Sequence, residues 1–276
     1  MKFRAEGHTS MSVNWLNKPD GGRGWASLFL ERGYRVYIVD SNMRGRSPDL
    51  DNNNELRKPS IEFVEMAFTA GLFLDVWVIP IFGAYYASVV PSLANREYQQ
   101  ATLQKAGAAL LDRIGHSRPA LVHAVVALEL AGPLFEGKVL LLKGFVRPYG
   151  LTTILITYSP PVTDPVKDLV RQTINPSQHD QLPLSIQAED PPSRQLVNFL
   201  DTPVLLVTAE ASYHAPYDWA TVVYLRQAGV KKTEHLVLVD RGIRGNGHMF
   251  FMEKNSDEIA LLIDVLESGP SATYEP

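Results

Sequence analysis

Apolar positions along the chain fall into short runs with two periods. Trp25, Leu28 and Phe29 recur at helical spacing and predict an amphipathic helix over 25–32, ended by Gly33. The aromatic and β-branched run YRVYIVD, residues 34–40, predicts a strand closed by the carboxylate of Asp40. Leu103, Ala106, Leu110 and Ile114 line one face of a second helix over Arg96–Ile114, with Gly115 beyond its end. Strands are predicted over 120–129 (ALVHAVVALE), 203–208 (PVLLVT) and 235–239 (HLVLV), and helices over 217–228 and 255–266. Apolar strands alternating with helices predict a doubly wound, mostly parallel α/β sheet. The alternation breaks once. Helix 96–114 leads through GHSRP, residues 115–119, straight into strand 120–129, although a crossover between parallel strands takes about a dozen residues.

Between these elements the chain is less regular. Residues 49–60 are polar and Asn-rich, as a surface loop should be. Residues 71–90 (GLFLDVWVIPIFGAYYASVV) are nearly all apolar and about long enough to span a bilayer. Asp75 and Pro80 argue against a membrane helix, so the run reads as a buried or lid segment within a lid or insert region at about 49–95. Runs 139–142 and 152–158 are apolar with no decided type, and 159–165 (SPPVTDP) is a rigid loop. Residues 175–193, polar and proline-rich, read as surface and as a further lid candidate. The tail 267–276 is expected to be disordered.

Composition narrows the function classes. With 45% hydrophobic and 20% charged residues in 276, the chain can bury a large core, and a single domain over 1–276 is expected. A net charge of −4 with scattered Lys and Arg leaves no basic footprint for nucleic acid. No cysteine is present, so disulfides, thiolate nucleophiles and Cys-based metal sites are excluded. The start, MKFRAEGH, lacks the apolar core of a secretory signal, which predicts a cytoplasmic protein. Oligomeric state is not legible.

The strongest chemical candidate sits in DRGIRGNGHM, residues 240–249. Gly242, Gly245 and Gly247 let the backbone bend sharply just past a strand end, where α/β sheets bind ligands, and present the imidazole of His248 as a general base. The alternative is a turn histidine that caps the following helix. A metal reading through His8, His214 and His248 has no ligand spacing behind it, and no metal or other cofactor is expected.

Several patches together resemble a family. Gly24-Trp25-Ala26, the run Gly33 to Asp40, Arg44-Gly45-Arg46-Ser47, the run Val204 to Glu210, and Gly245-Asn246-Gly247-His248-Met249 resemble the α/β-hydrolase superfamily, in its fungal and bacterial esterase-like branch with a Ser, Glu, His triad. The resemblance implies an α/β-hydrolase fold and a small carboxylic ester as substrate. By it His248 is the triad base, the second histidine of a Gly-[IV]-His-Gly-Asn-[SG]-His-Met turn whose first histidine is Arg244 here. Glu129 is the triad acid, which at a strand end can accept the imidazole N–H, the alternative being a salt-bridged surface residue. Gly7-His8-Thr9-Ser10 lies where the oxyanion-hole loop falls, which makes Gly7 and His8 candidates, but no strand is predicted before it.

The family's nucleophile elbow, G-x-S-x-G or a variant, is absent. Its nearest fragment is Gly115-His116-Ser117, so Ser117 is the candidate nucleophile. The simpler expectation is a sheet that lacks its N-terminal strands and its elbow strand, the latter deleted between Gly115 and Arg118. Around 71–79 the family's aromatic and polar segment is also replaced by unrelated apolar sequence. Two readings stay open: a serine esterase, and a non-catalytic relative that binds or regulates through the same pocket or is a truncated gene product.

Overall fold

The structure is a computed structural model that describes residues 2–5, 12–18, 20–41, 47, 54–68, 82–83, 86–87, 89–114, 122–139 and 144–268. In chain order its main elements are β1 (Lys2–Ala5), α1 (Trp25–Glu31), β2 (Arg35–Ile38), α2 (Ile61–Phe68), α3 (Arg96–Ile114), β3 (Val125–Leu128), β4 (Arg171–Ile174), β5 (Leu184–Gln187), β6 (Val204–Thr208), α4 (Asp218–Gln227), β7 (Thr233–Val237) and α5 (Ser256–Ser268). The chain forms two compact units, one of Met1–Asn95 with Met249–Pro276 and one of Arg96–His248.

In the first unit β1 pairs parallel with β2, Lys2 opposite Arg35 and Ala5 opposite Ile38. This corrects the expectation that no strand precedes Gly7. The sequence KFRA carries too little apolar signal by itself, and becomes a strand through the partner it pairs with. Helix α1 buries Trp25, Ala26, Leu28 and Phe29, and Gly33 turns the chain out of it at φ +82°, as the glycine stop predicts. Trp15 stacks on Phe251 with centroids 4.2 Å apart, and the Trp25 indole donates to the Ser256 carbonyl at 3.0 Å. Asp264, buried on α5, accepts from both Arg32 and Tyr34, which ties the α1–β2 turn to the last helix. The expected lid at 49–95 contains α2 and a short antiparallel pair, Leu56–Arg57 with Ser92–Leu93. Most of the apolar run at 71–90, including all of 71–81, lies outside the described residues. Among the described residues no helix is long and apolar enough to cross a membrane.

The second unit is built on three parallel strands in the order β7-β6-β3, with Val204 of β6 opposite both Thr233 and Val125. All five residues of β6 are buried, as its uninterrupted apolar run requires of a central strand. Helix α4 adds Ala220, Val222, Tyr224 and Leu225 to this core. The last strand ends at Val237. Leu238, fully buried, opens a 3-10 turn that Gly242 closes at φ +80°. Apolar content alone placed residues 238 and 239 in the strand, because a buried turn residue and a buried strand residue look alike in sequence.

The surface reading of 175–193 is corrected in part. Leu184–Gln187 forms β5, antiparallel to β4 and buried at every position. Its polar side chains are satisfied inside: Ser185 donates to Glu136 at 2.9 Å, and the Gln187 side chain exchanges two hydrogen bonds with the Arg194 backbone.

Behind the sheet, Gly150 (φ +78°) sits where a Cβ would lie 2.4 Å from the Tyr224 hydroxyl. That hydroxyl is bonded to the Tyr158 hydroxyl, and both rings are buried, so neither can yield. Gly150→Ala is therefore expected to cost about 2–4 kcal/mol, from overpacking plus a disfavoured left-handed alanine. A urea unfolding midpoint unchanged from wild type would contradict this packing.

Candidate active site

Strand β3 delivers Glu129. Its backbone N–H continues the ladder to the Val207 carbonyl at 3.1 Å, but its φ of +53° lies in the left-handed region. For a residue other than glycine this costs about 1–3 kcal/mol, which the surroundings must offset, and such residues gather at functional sites. The turn drives the carboxylate into the interior, where the residue is 4% exposed. Oε1 accepts the Ala209 N–H at 2.9 Å. Oε2 accepts the Ser212 hydroxyl at 2.7 Å and lies 2.5 Å from Nδ1 of His248. An ionised carboxylate only accepts, so Nδ1 carries the proton and the basic lone pair falls on Nε2. The structure thus brings together the two residues that the resemblance pairs.

One four-residue segment holds both partners. Residues 209–212 leave the end of β6. Besides the two bonds to Glu129, the Ala211 N–H donates to the Asn246 carbonyl at 2.9 Å. The Glu210 carboxylate takes Arg244 at 3.0 Å and the Gly245 N–H at 2.9 Å. Gly242 and Gly245 both have positive φ, the freedom the glycine spacing predicted. Arg244 is thereby a brace for the turn.

A second histidine lies beneath the first. The rings of His214 and His248 are parallel within 5°, with centroids 4.8 Å apart, and Tyr213 meets His248 at 4.9 Å. His214 Nδ1 is 2.8 Å from the Tyr217 hydroxyl and 3.2 Å from Asp218. The other Asp218 oxygen accepts from Thr208 at 2.7 Å, and that hydroxyl lies 2.9 Å from Nε2 of His235. Burial pushes His214 down to about 3, and burial also pushes the Asp218 carboxyl and the Tyr217 phenol up. His235 is lowered to about 4, again chiefly by burial.

His214 therefore stays neutral in the folded protein while it protonates in the unfolded chain below about 6.5. The unfolded state binds the extra proton, so stability is lost as pH falls from about 6.5 towards 3, by about 1.4 kcal/mol per pH unit for this wholly buried ring. The raised Asp218 carboxyl works in the opposite sense, so the His214 contribution is read as a difference: between pH 7 and 5 the urea midpoint of wild type should fall relative to that of His214→Gln. Equal slopes would show that His214 is not the buried neutral ring described.

Ligand atoms of Glu129, His214 and His248 lie within 4.8 Å of one another. Parallel imidazoles aim their in-plane lone pairs side by side rather than at a shared point, and Glu129 is committed to three donors. This donor set suits proton handling better than a zinc-type site. His8, the third member of the metal reading, lies outside the described residues, as do Gly7 and Ser117. Ser212 is the serine against the acid, but its proton is directed to Glu129 and away from the base. Sequence reasoning assigned no role to Ala209, Glu210 or Ser212, and considered His214 only as a metal ligand beside His8 and His248. The only signal was that 209 and 210 closed a family patch at the end of the most apolar strand.

Over 284 residues, covering 91% of this chain and 77% of the other, the sequence is 38% identical to a probable secreted lipase, phiG, of Fungal sp. (strain ATCC 74256). Among solved structures, a novel bacterial esterase determined at atomic resolution aligns with a TM-score of 0.59 at 18% identity, over 97% of this chain and 80% of that one. No protein-family profile matches.

Proposed function

Because this chain belongs to the esterase- and lipase-like family of that fungal protein and has an α/β-hydrolase-type fold, we propose that it hydrolyses small carboxylic esters with Glu129 and His248 as its acid–base pair. The observation that carries the proposal is the 2.5 Å contact between a buried, triply hydrogen-bonded carboxylate and a glycine-turn imidazole. In the proposed sequence a serine hydroxyl attacks the ester carbonyl and His248 Nε2 takes its proton. The proton then passes to the leaving alcohol, and water repeats the cycle on the acyl-enzyme. Glu129 stabilises the imidazolium formed in between. Ser117 is the proposed nucleophile, and the amides of Gly7 and His8 the proposed oxyanion donors.

A second reading rests on the missing G-x-S-x-G pentapeptide: a non-catalytic relative that binds ester-like molecules in the inherited pocket. Short p-nitrophenyl esters separate the two. Turnover above the buffer rate supports the hydrolase. Saturable binding of an ester without turnover, together with no labelling by a fluorophosphonate, supports the binding module. The compartment we propose follows the relative described as secreted, in place of the cytoplasmic expectation.

A further inference from the structure

Ser212 stands where the carboxylate, the second histidine and the bracing segment meet. Its hydroxyl donates to Oε2 of Glu129 at 2.7 Å, the same oxygen that faces His248, and accepts the backbone N–H of His214 at 3.1 Å. Bonded on both sides and 7% exposed, the hydroxyl has one orientation open to it. We propose that Ser212 is a positioning residue for the acid–base pair, fixing the Glu129 carboxylate in the orientation that faces Nδ1 of His248. The inference rests on the proposed function for its catalytic meaning, but its structural content does not depend on turnover.

Without the hydroxyl, Glu129 keeps the Ala209 N–H on Oε1 and only His248 on Oε2. Oε2 then has one donor fewer to fix its orientation. Its charge, still buried, is shared among fewer donors and pulls harder on the imidazolium, so proton uptake at His248 becomes easier. The groups that face the pair are Tyr213, His214, Tyr217 and Asp218 from the loop and helix beside it, and the Arg147 charge reaches His214. Of these, His214 and Tyr217 are held in their neutral forms by burial, so neither takes up a proton to offset the change near neutral pH.

The test follows the imidazole nitrogens of His248 by NMR through a pH titration of the full chain in wild type, Ser212→Ala and Ser212→Thr. The alanine variant should move the His248 midpoint up by about one pH unit, a tenfold change in proton affinity, and threonine, which keeps the hydroxyl, should restore it. Where ester turnover is measurable, the acidic limb of the alanine variant's pH profile should rise by the same amount. Its kcat should fall about tenfold with KM unchanged. If the alanine variant does not fold, Ser212→Cys, a weaker donor, should give a smaller shift in the same direction. An unmoved midpoint in a folded alanine or cysteine variant, or a threonine variant that fails to restore it, overturns the role of Ser212. A wild type that turns over no ester while its His248 titration responds to Ser212 overturns the hydrolase reading and leaves this one standing.

Discussion

His248→Ala is expected to lower kcat/KM on short p-nitrophenyl esters by about 10³- to 10⁴-fold, the loss typical of removing a general base that serves both halves of acyl transfer. The expectation follows from how the ring is held. Nδ1 is committed to Glu129, so Nε2 carries the chemistry, and no other described imidazole is placed to replace it. His214 lies parallel to His248, but Tyr217 and Asp218 hold its Nδ1 and burial lowers it to about 3, so it is a weak base as well as an enclosed one. The drop should fall on kcat with KM little changed, because the ring acts on the transferring proton. A variant that retains a tenth or more of wild-type turnover would show that the base is another group.

Glu129→Gln is the second large effect, and it should appear in two measurements at once. The carboxylate now accepts from Ala209, Ser212 and His248. An amide of the same shape offers one oxygen and one NH2, so at least one of the three donors must face another donor. A buried donor left unpaired costs about 1–3 kcal/mol, to be read as a lower urea midpoint. The neutral amide also cannot stabilise the imidazolium or fix its tautomer. By analogy with the same replacement in other triads, turnover should fall by about 10⁴-fold. Loss of stability without loss of turnover would make Glu129 a packing residue only.

The sequence was most legible where a single segment carries its own reason. Helix α3 spans Arg96–Ile114 as expected, although the residues it buries are Gln99 and Gly107 and not the expected face of Leu103, Ala106, Leu110 and Ile114, and β6 is the central buried strand that an unbroken VLLVT implies. The glycine spacing around His248 likewise announced a turn that presents a side chain. Elements whose reason lies in a distant partner were not legible. KFRA is a strand because β2 pairs with it, and LSIQ is buried because Glu136 and Arg194 satisfy its polar groups. The same distinction divides the site. Glu129 came into view only through resemblance. Ala209 and Ser212 stayed out of view because their roles consist of bonds to a residue 80 and 83 positions away.

In the proposed function Glu129 and His248 serve a serine that reacts with esters. The most direct test of that function is to treat the protein with a fluorophosphonate and locate the adduct by peptide mass spectrometry. Wild type should carry a phosphonylated Ser117, and His248→Ala should carry no adduct. Wild-type protein that remains unmodified, or an adduct that forms equally well without the imidazole, would contradict it.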